Sequence, residues 1–300
     1  MTLQALPVRV PLVARETLES YLSRLASANH LEPRDLRVHL GMRSPTMPPD
    51  LDRLSTLTGN SARRLTGMLS DAVPPPGRTR LAPWRGRPAC RHCTRRRGIP
   101  TDVWCVAVDQ RVCLRHRRWL GGLTEEPGDQ HDLTPVPEIT AAQRRHRRLI
   151  RRRGTETGRA AIGDAATIIA GWSEPDQLHE RRQCRIDSLL ATRSDHTEPL
   201  ERRVEPSVLA MVDYPEVATL ATLLADPHWR SIASADHRAD RLPFELEAAR
   251  RLDLAPIESV VGDRFVCWEE GQALARRSRL NQQPGYRGPE VWLPAVGPVR

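Results

Sequence analysis

Cys90-Arg91-His92-Cys93, nineteen further residues, then Cys113-Leu114-Arg115-His116: this stretch decides how the chain is read. Each short motif carries two metal-ligating side chains separated by two residues. That spacing lets a tight knuckle point both donors at one ion, and two such knuckles complete a tetrahedron around Zn2+. Thiolates with one imidazole suit a borderline-soft ion that has no redox chemistry. Four protein ligands leave no coordination position for water, so one structural zinc is expected on Cys90, Cys93, Cys113 and His116. Two neighbours are rival donors, His92 and Cys105. His92 lies inside the first knuckle and should point away from the ion. Cys105 follows Trp104 in a strand-like stretch, Val103 to Val108, and reads as a small buried hydrophobe. Cys184 and Cys267 stand alone and read as core thiols.

Positive charge surrounds the motif. Between Arg85 and Arg118 stand Arg85, Arg87, Arg91, Arg95, Arg96, Arg97, Arg111, Arg115, Arg117 and Arg118, against only Asp102 and Asp109. A second cluster runs from Arg144 to Arg159 with Glu156 as its one acid. The whole chain carries a formal charge of +9, and every basic residue is Arg. A single charged run is usually a solvated face. Two dense clusters beside a metal knuckle instead point to a surface that follows phosphates, which Arg binds bidentately. Arg95, Arg96, Arg97, Arg117, Arg118, Arg144, Arg147 and Arg148 are the expected phosphate contacts, with double-stranded DNA as the expected partner.

Upstream, residues 1–71 read as a helical domain. Pro7 to Val13 looks extended. From Arg15 to Asn29 the residues Leu18, Tyr21, Leu22, Leu25 and Ala26 recur at spacings of three and four, the signature of one buried helix face. Pro33 suits a helix start, with Leu36 and Leu40 continuing an apolar stripe. Asp50 can cap a helix bearing Leu51, Leu54 and Leu57; Gly59 and Asn60 accept positive φ; Ser61 can cap the next helix. Two short helices joined by a Gly turn resemble a helix-turn-helix, which places Arg63 and Arg64 where a recognition helix meets base edges.

Residues 72–123 form the linker and finger, with Pro74, Pro75 and Pro76 as helix stops and Trp84 as an anchor. Residues 138–281 read as a C-terminal helical domain. Helices are expected at Ile139 to Arg153, Ala160 to Trp172, Asp176 to Ala191, Val208 to Leu224 and Phe244 to Leu252. The tail, 282–300, is rich in Pro and Gly and reads as irregular. The expected fold class is therefore mainly α: an N-terminal helical domain, a central zinc finger and a C-terminal helical domain. Aromatic residues make up only 4% of the chain, so the core must rest on Leu, Ile, Val and Ala.

These residues resemble the TniQ family. Pro7-Val8-Arg9-Val10-Pro11 followed by Glu16-Thr17-Leu18-Glu19-Ser20-Tyr21-Leu22-Ser23-Arg24-Leu25-Ala26 looks like the family's N-terminal signature. Leu51 to Leu69, with Leu57-Thr58-Gly59, is similar to its helix-turn-helix region. The Cys90/Cys93 pair, Trp104 and Val112-Cys113-Leu114-Arg115-His116 resemble its zinc finger. The resemblance covers roughly residues 7 to 123. It implies a non-catalytic adaptor that selects target DNA and recruits a transposase or its AAA+ ATPase regulator. Arg91 and Leu114 replace the prolines frequent in the family's knuckles. Gly121 to Pro137 holds no Cys, so a second zinc is not expected.

Other functions fit less of the sequence. A transcriptional regulator would use the same parts without a transposase. A scaffold would turn the Arg clusters toward acidic proteins. A metal-dependent nuclease would need an open metal position and clustered carboxylates. The adjacent acidic pairs, Glu125-Glu126 and Glu269-Glu270, read as solvated charge. No apolar stretch approaches the roughly 20 residues that span a bilayer. With no signal peptide read at the start and Cys reading as reduced thiols, the expected compartment is the cytoplasm.

Overall fold

The computed structural model describes residues 4–44, 46–69, 71–73, 86–99, 103–106, 109–121, 130–171, 176–191, 206–254 and 264–281. Pro74 to Pro76, Trp84, Arg85, Glu125-Glu126 and the tail 282–300 lie outside them. The described chain is mainly helical, with four two-residue strands. It groups into two units: Met1–Ile150 with Arg182–Pro215, and Arg151–Arg181 with Glu216–Arg300. The segment 138–281, expected as one C-terminal domain, contributes to both.

In the first unit, α1 (Leu18–Ala28) begins three residues later than the periodicity suggested. Arg15 takes a left-handed φ of 65°, and Glu16 forms a β-bridge with Cys105, so neither can be helical. Thr17 then caps the helix, its Oγ1 accepting from the Ser20 N–H at 3.1 Å. Pro33 opens α2 (Pro33–His39). Asp50 caps α3 (Leu51–Thr58) by accepting from the N–H groups of Asp52 and Arg53. Gly59 ends α3 at φ 67°, a backbone setting that any side chain would strain. Ser61 caps α4 (Ala62–Met68). The helices close over one core in which Tyr21, Leu25, Leu40, Leu54, Leu65 and Leu69 are wholly buried.

Beneath this core sits a charged group. Glu16 is fully buried and Arg24 nearly so. Arg24 Nε donates to Glu16 Oε1 at 2.8 Å and its Nη2 to Oε2 at 2.6 Å. Ser20 Oγ donates to Oε1 at 2.9 Å, and Arg24 Nη2 also reaches the Pro11 carbonyl at 2.9 Å. Ser20 and Arg24 stand four apart on one face of α1, and the extended Glu16, just before the Thr17 cap, lies within reach of both.

The finger follows as β1 (Arg87–Pro88), α5 (Arg91–Arg95), β2 (Trp104–Cys105), β3 (Val112–Cys113) and β4 (Arg118–Trp119). Strands β1 and β2 pair antiparallel, as do β3 and β4. Two backbone bonds tie β2 to the start of α1: Thr17 N–H to the Trp104 carbonyl at 2.8 Å, and Val106 N–H to the Arg15 carbonyl at 2.7 Å. The helical segment and the finger are thus one packed body. The next helix, α6 (Pro137–Arg153), buries Ile139, Ala142, Gln143, His146 and Leu149, and ends at Gly154 with φ 83°.

The remaining helices are α7 (Thr155–Gly171), α8 (Asp176–Leu190), α9 (Pro206–Val212), α10 (Tyr214–Leu224), α11 (Pro227–Ala233), α12 (Arg238–Leu252) and α13 (Arg264–Asn281). The single helix expected over Val208 to Leu224 is two, α9 and α10. Pro215 lacks an N–H and its ring clashes with the preceding turn, so the helix must restart there. Helices α11 and α13 escaped the sequence reading. Cys184 and Cys267, read as core thiols, are exposed, because their turns bury other positions: Ile186 and Leu189 in α8, Phe265 and Val266 in α13.

Within the second unit Phe244 stacks on Phe265 and Trp268, with ring centroids 5.3 and 5.8 Å apart. Glu270 is exposed as expected, but Glu269 is fully buried. Burial first, and the neighbouring Glu245 carboxyl second, push the Glu269 pKa up to about 8. An acid with a raised folded pKa holds its proton after the unfolded chain has released it. Stability is therefore greatest below the unfolded value of about 4.3 and is lost as pH climbs toward 8. Glu269→Gln is expected to melt above the wild type at pH 8 and to lose that advantage at pH 4. Parallel thermal melts check this; an equal gap at both pH values contradicts it.

Candidate metal centre

Two local structures bring the four donors together. Cys90 is the residue preceding α5 and Cys93 lies in its first turn, with Cys93 N–H and Thr94 N–H bonded to the Cys90 carbonyl. Cys113 ends β3, and His116 follows in the turn that leads to β4. Arg117 completes that turn with a left-handed φ of 50°. The result is a helical knuckle facing a hairpin knuckle.

The donor atoms of Cys90, Cys93, Cys113 and His116 all lie within 4.8 Å of one another. His116 Nδ1 is 3.4 Å from Cys90 Sγ, 3.3 Å from Cys93 Sγ and 3.6 Å from Cys113 Sγ. Cys93 Sγ is 3.8 Å from Cys113 Sγ. With bonds of about 2.3 Å to sulfur and about 2.0 Å to nitrogen, a regular tetrahedron sets S···N at about 3.5 Å and S···S at about 3.8 Å. The cluster has the dimensions of a coordination shell and can hold a metal ion.

The donor chemistry points the same way. Cys90 and Cys113 are buried against Leu120. Cys113 accepts a hydrogen bond from Cys90, and further ones from the backbone and ring of His116, which bring its pKa down to about 4. Donating to Cys113, together with burial, raises Cys90; burial and the Cys113 charge raise Cys93. Three sulfurs this close resist ionising together until a cation joins them. Neither rival donor belongs to the cluster. His92 is exposed, its ring centroid 5.3 Å from that of His116. Cys105 packs with Val13, Ile99 and Val103, and burial pushes its pKa up to about 12.

Two glutamines hold the knuckles, and the sequence reading found neither. Gln130 Nε2 donates to the Ala89 carbonyl at 2.8 Å, and its Oε1 accepts from Arg91 N–H at 3.0 Å, bracketing the first knuckle. Gln143 of α6 does the same for the second. Its Nε2 donates to the Asp109 carbonyl at 2.6 Å, and its Oε1 accepts from Arg111 N–H at 2.7 Å and Val112 N–H at 3.0 Å. Tyr214 donates its hydroxyl to the same oxygen at 3.2 Å and lies 2.7 Å from Nδ1 of His146. Burial first, then the Arg111 charge, lower the His146 pKa to about 4, so this ring is neutral at pH 7. Trp119 meets Tyr214 edge-on at 5.6 Å, and the Arg111 guanidinium lies 5.5 Å above that ring.

The expected DNA-contacting arginines fall into three places. Arg63 and Arg64 are exposed on the first turn of α4. Arg95, Arg96, Arg97 and Arg117 are exposed on the finger. Arg144 and Arg148 are exposed on α6, with Arg147 partly so. Among the described residues none of these has a carboxylate at ion-pair distance. Arg118 differs: it is half-buried, pairs with Asp132 at 3.2 Å and donates to the Gln130 carbonyl.

No curated protein and no solved structure matches the chain. A family model does. TniQ proteins are transposition-associated DNA-binding adaptors without enzymatic activity. The TniQ model covers residues 7–120, from the extended segment before α1 to Leu120 beside the sulfur cluster, and over this region the chain is similar to that family.

Proposed function

We propose that the chain is a zinc-containing DNA-binding adaptor that selects target DNA and recruits transposition proteins, a transposase or its AAA+ ATPase regulator among them. The observation that carries the reading is the cluster of Cys90, Cys93, Cys113 and His116 beneath an arginine-covered surface. One structural Zn2+ held by these four would join the helical and hairpin knuckles and fix the finger's shape. Arg95, Arg96, Arg97 and Arg117 then face a phosphate backbone, and Arg144, Arg147 and Arg148 of α6 extend the contact. Arg63 and Arg64 open the second helix of a helix-turn-helix pair, where base edges are read. Arg118, bound to Asp132, steadies the hairpin instead. The protein works in the cytoplasm, where its six free cysteines stay reduced. No described helix is long and apolar enough to cross a membrane.

Duplex DNA binding across salt concentrations tests this. Affinity should fall steeply with salt, because each neutralised phosphate releases counterions. Replacing Arg95, Arg96 and Arg97 by Ala should weaken binding and flatten the log–log slope by about 0.9 for each phosphate left without its arginine. A wild type that binds polyglutamate as tightly as duplex DNA would contradict the reading and favour a protein partner.

A further inference from the structure

We infer that Gln143 is a positioning residue for the metal centre, and that through it metal binding and the docking of α6 form one cooperative event. The inference rests on the reading of the sulfur cluster as a zinc site and adds its regulation. Gln143 is wholly buried, and its amide makes four hydrogen bonds. Three of them go to the backbone of Asp109, Arg111 and Val112, residues that feed directly into Cys113. One edge of β3 is paired with β4, and the Gln143 amide substitutes for a strand on the other side.

This bracket comes from outside the family region, which ends at residue 120. The metal-holding hairpin therefore depends on a helix beyond it. The dependence runs both ways, since a coupling free energy is reciprocal. If metal orders the hairpin, it orders the partners of Gln143 and holds α6 in place. Arg144 and Arg148 stand on the exposed face of that same helix. Loss of metal would loosen an arginine surface that does not itself touch the ion.

Two measurements on the full-length chain decide it. The first is zinc affinity by chelator competition for wild type, Gln143→Ala and Gln143→Glu. Groups that orient metal ligands typically change affinity by about 10- to 100-fold, so Gln143→Ala should bind zinc at least about 10-fold more weakly. Gln143→Glu keeps the accepting oxygens and loses only the donor to Asp109, so it should fall between the two. The second is hydrogen exchange of wild-type α6 before and after chelation, which needs no variant to fold. Faster exchange across Pro137 to Ile150 after chelation is expected. A Gln143→Ala affinity within about twofold of wild type, or α6 exchange indifferent to metal, overturns the coupling. A wild type that binds zinc tightly but shows such indifference loses only this inference. A wild type that takes up no zinc loses the metal reading as well.

Discussion

Cys113→Ser is expected to release the metal and unfold the finger. Cys113 closes the hairpin side of the cluster and is only 4% exposed. A serine hydroxyl is a poor ligand for a borderline-soft ion, so the ion would be left with two sulfurs and a ring nitrogen. Structural zinc contributes about 10–16 kcal/mol to the folding of small metal domains, far more than the strand pairs here can replace. The finger has strands of two residues and a helix of five, lengths that do not persist alone in water. The effect should reach α6, whose Gln143 bonds end on the same hairpin. Metal analysis and thermal melting of the purified variant check this. Stoichiometric metal with an unchanged melting temperature would contradict it.

Arg24→Ala is expected to cost about 3–5 kcal/mol, because it leaves the Glu16 carboxylate buried without its partner. Glu16 has no exposure, so water cannot replace the guanidinium. The Ser20 hydroxyl would remain as a donor, but one neutral hydrogen bond does not offset a buried charge. The same pair anchors the chain entering α1, since Arg24 also holds the Pro11 carbonyl. Replacing Glu16 and Arg24 together with apolar residues of similar volume should recover much of the loss. Urea unfolding of the single and double variants measures both. A single variant within about 1 kcal/mol of wild type would show that the pair contributes little, as exposed pairs do.

Much of the first unit was legible in the sequence because its signals are local. Asp50, Gly59 and Ser61 announce two helices and the turn between them, and the structure places each in its expected role. The two knuckles are spaced so that chemistry alone brings four donors together. The Glu16, Ser20 and Arg24 spacing was visible, but its meaning was not: only burial turns three polar residues into an ion pair. Gln130 and Gln143 were invisible for a related reason. Each bonds to backbone 31 to 41 residues away, and no spacing rule reports a side chain that substitutes for a strand. Glu269 misled because an adjacent acidic pair usually marks solvent, whereas here one member turns inward. Helix α11 is seven residues long, too short for periodicity to show.

In the function proposed above, the finger, its arginine surface and its tie to α6 all depend on three sulfurs and one imidazole binding a single ion tetrahedrally. Cobalt substitution probes that arrangement itself, because Co2+ takes the same donors and its absorption reports their geometry. Saturation at one equivalent is predicted, with intense tetrahedral d–d bands and thiolate-to-metal charge transfer, all lost in Cys113→Ser. Weak octahedral absorption, or uptake that never saturates at one equivalent, would contradict it.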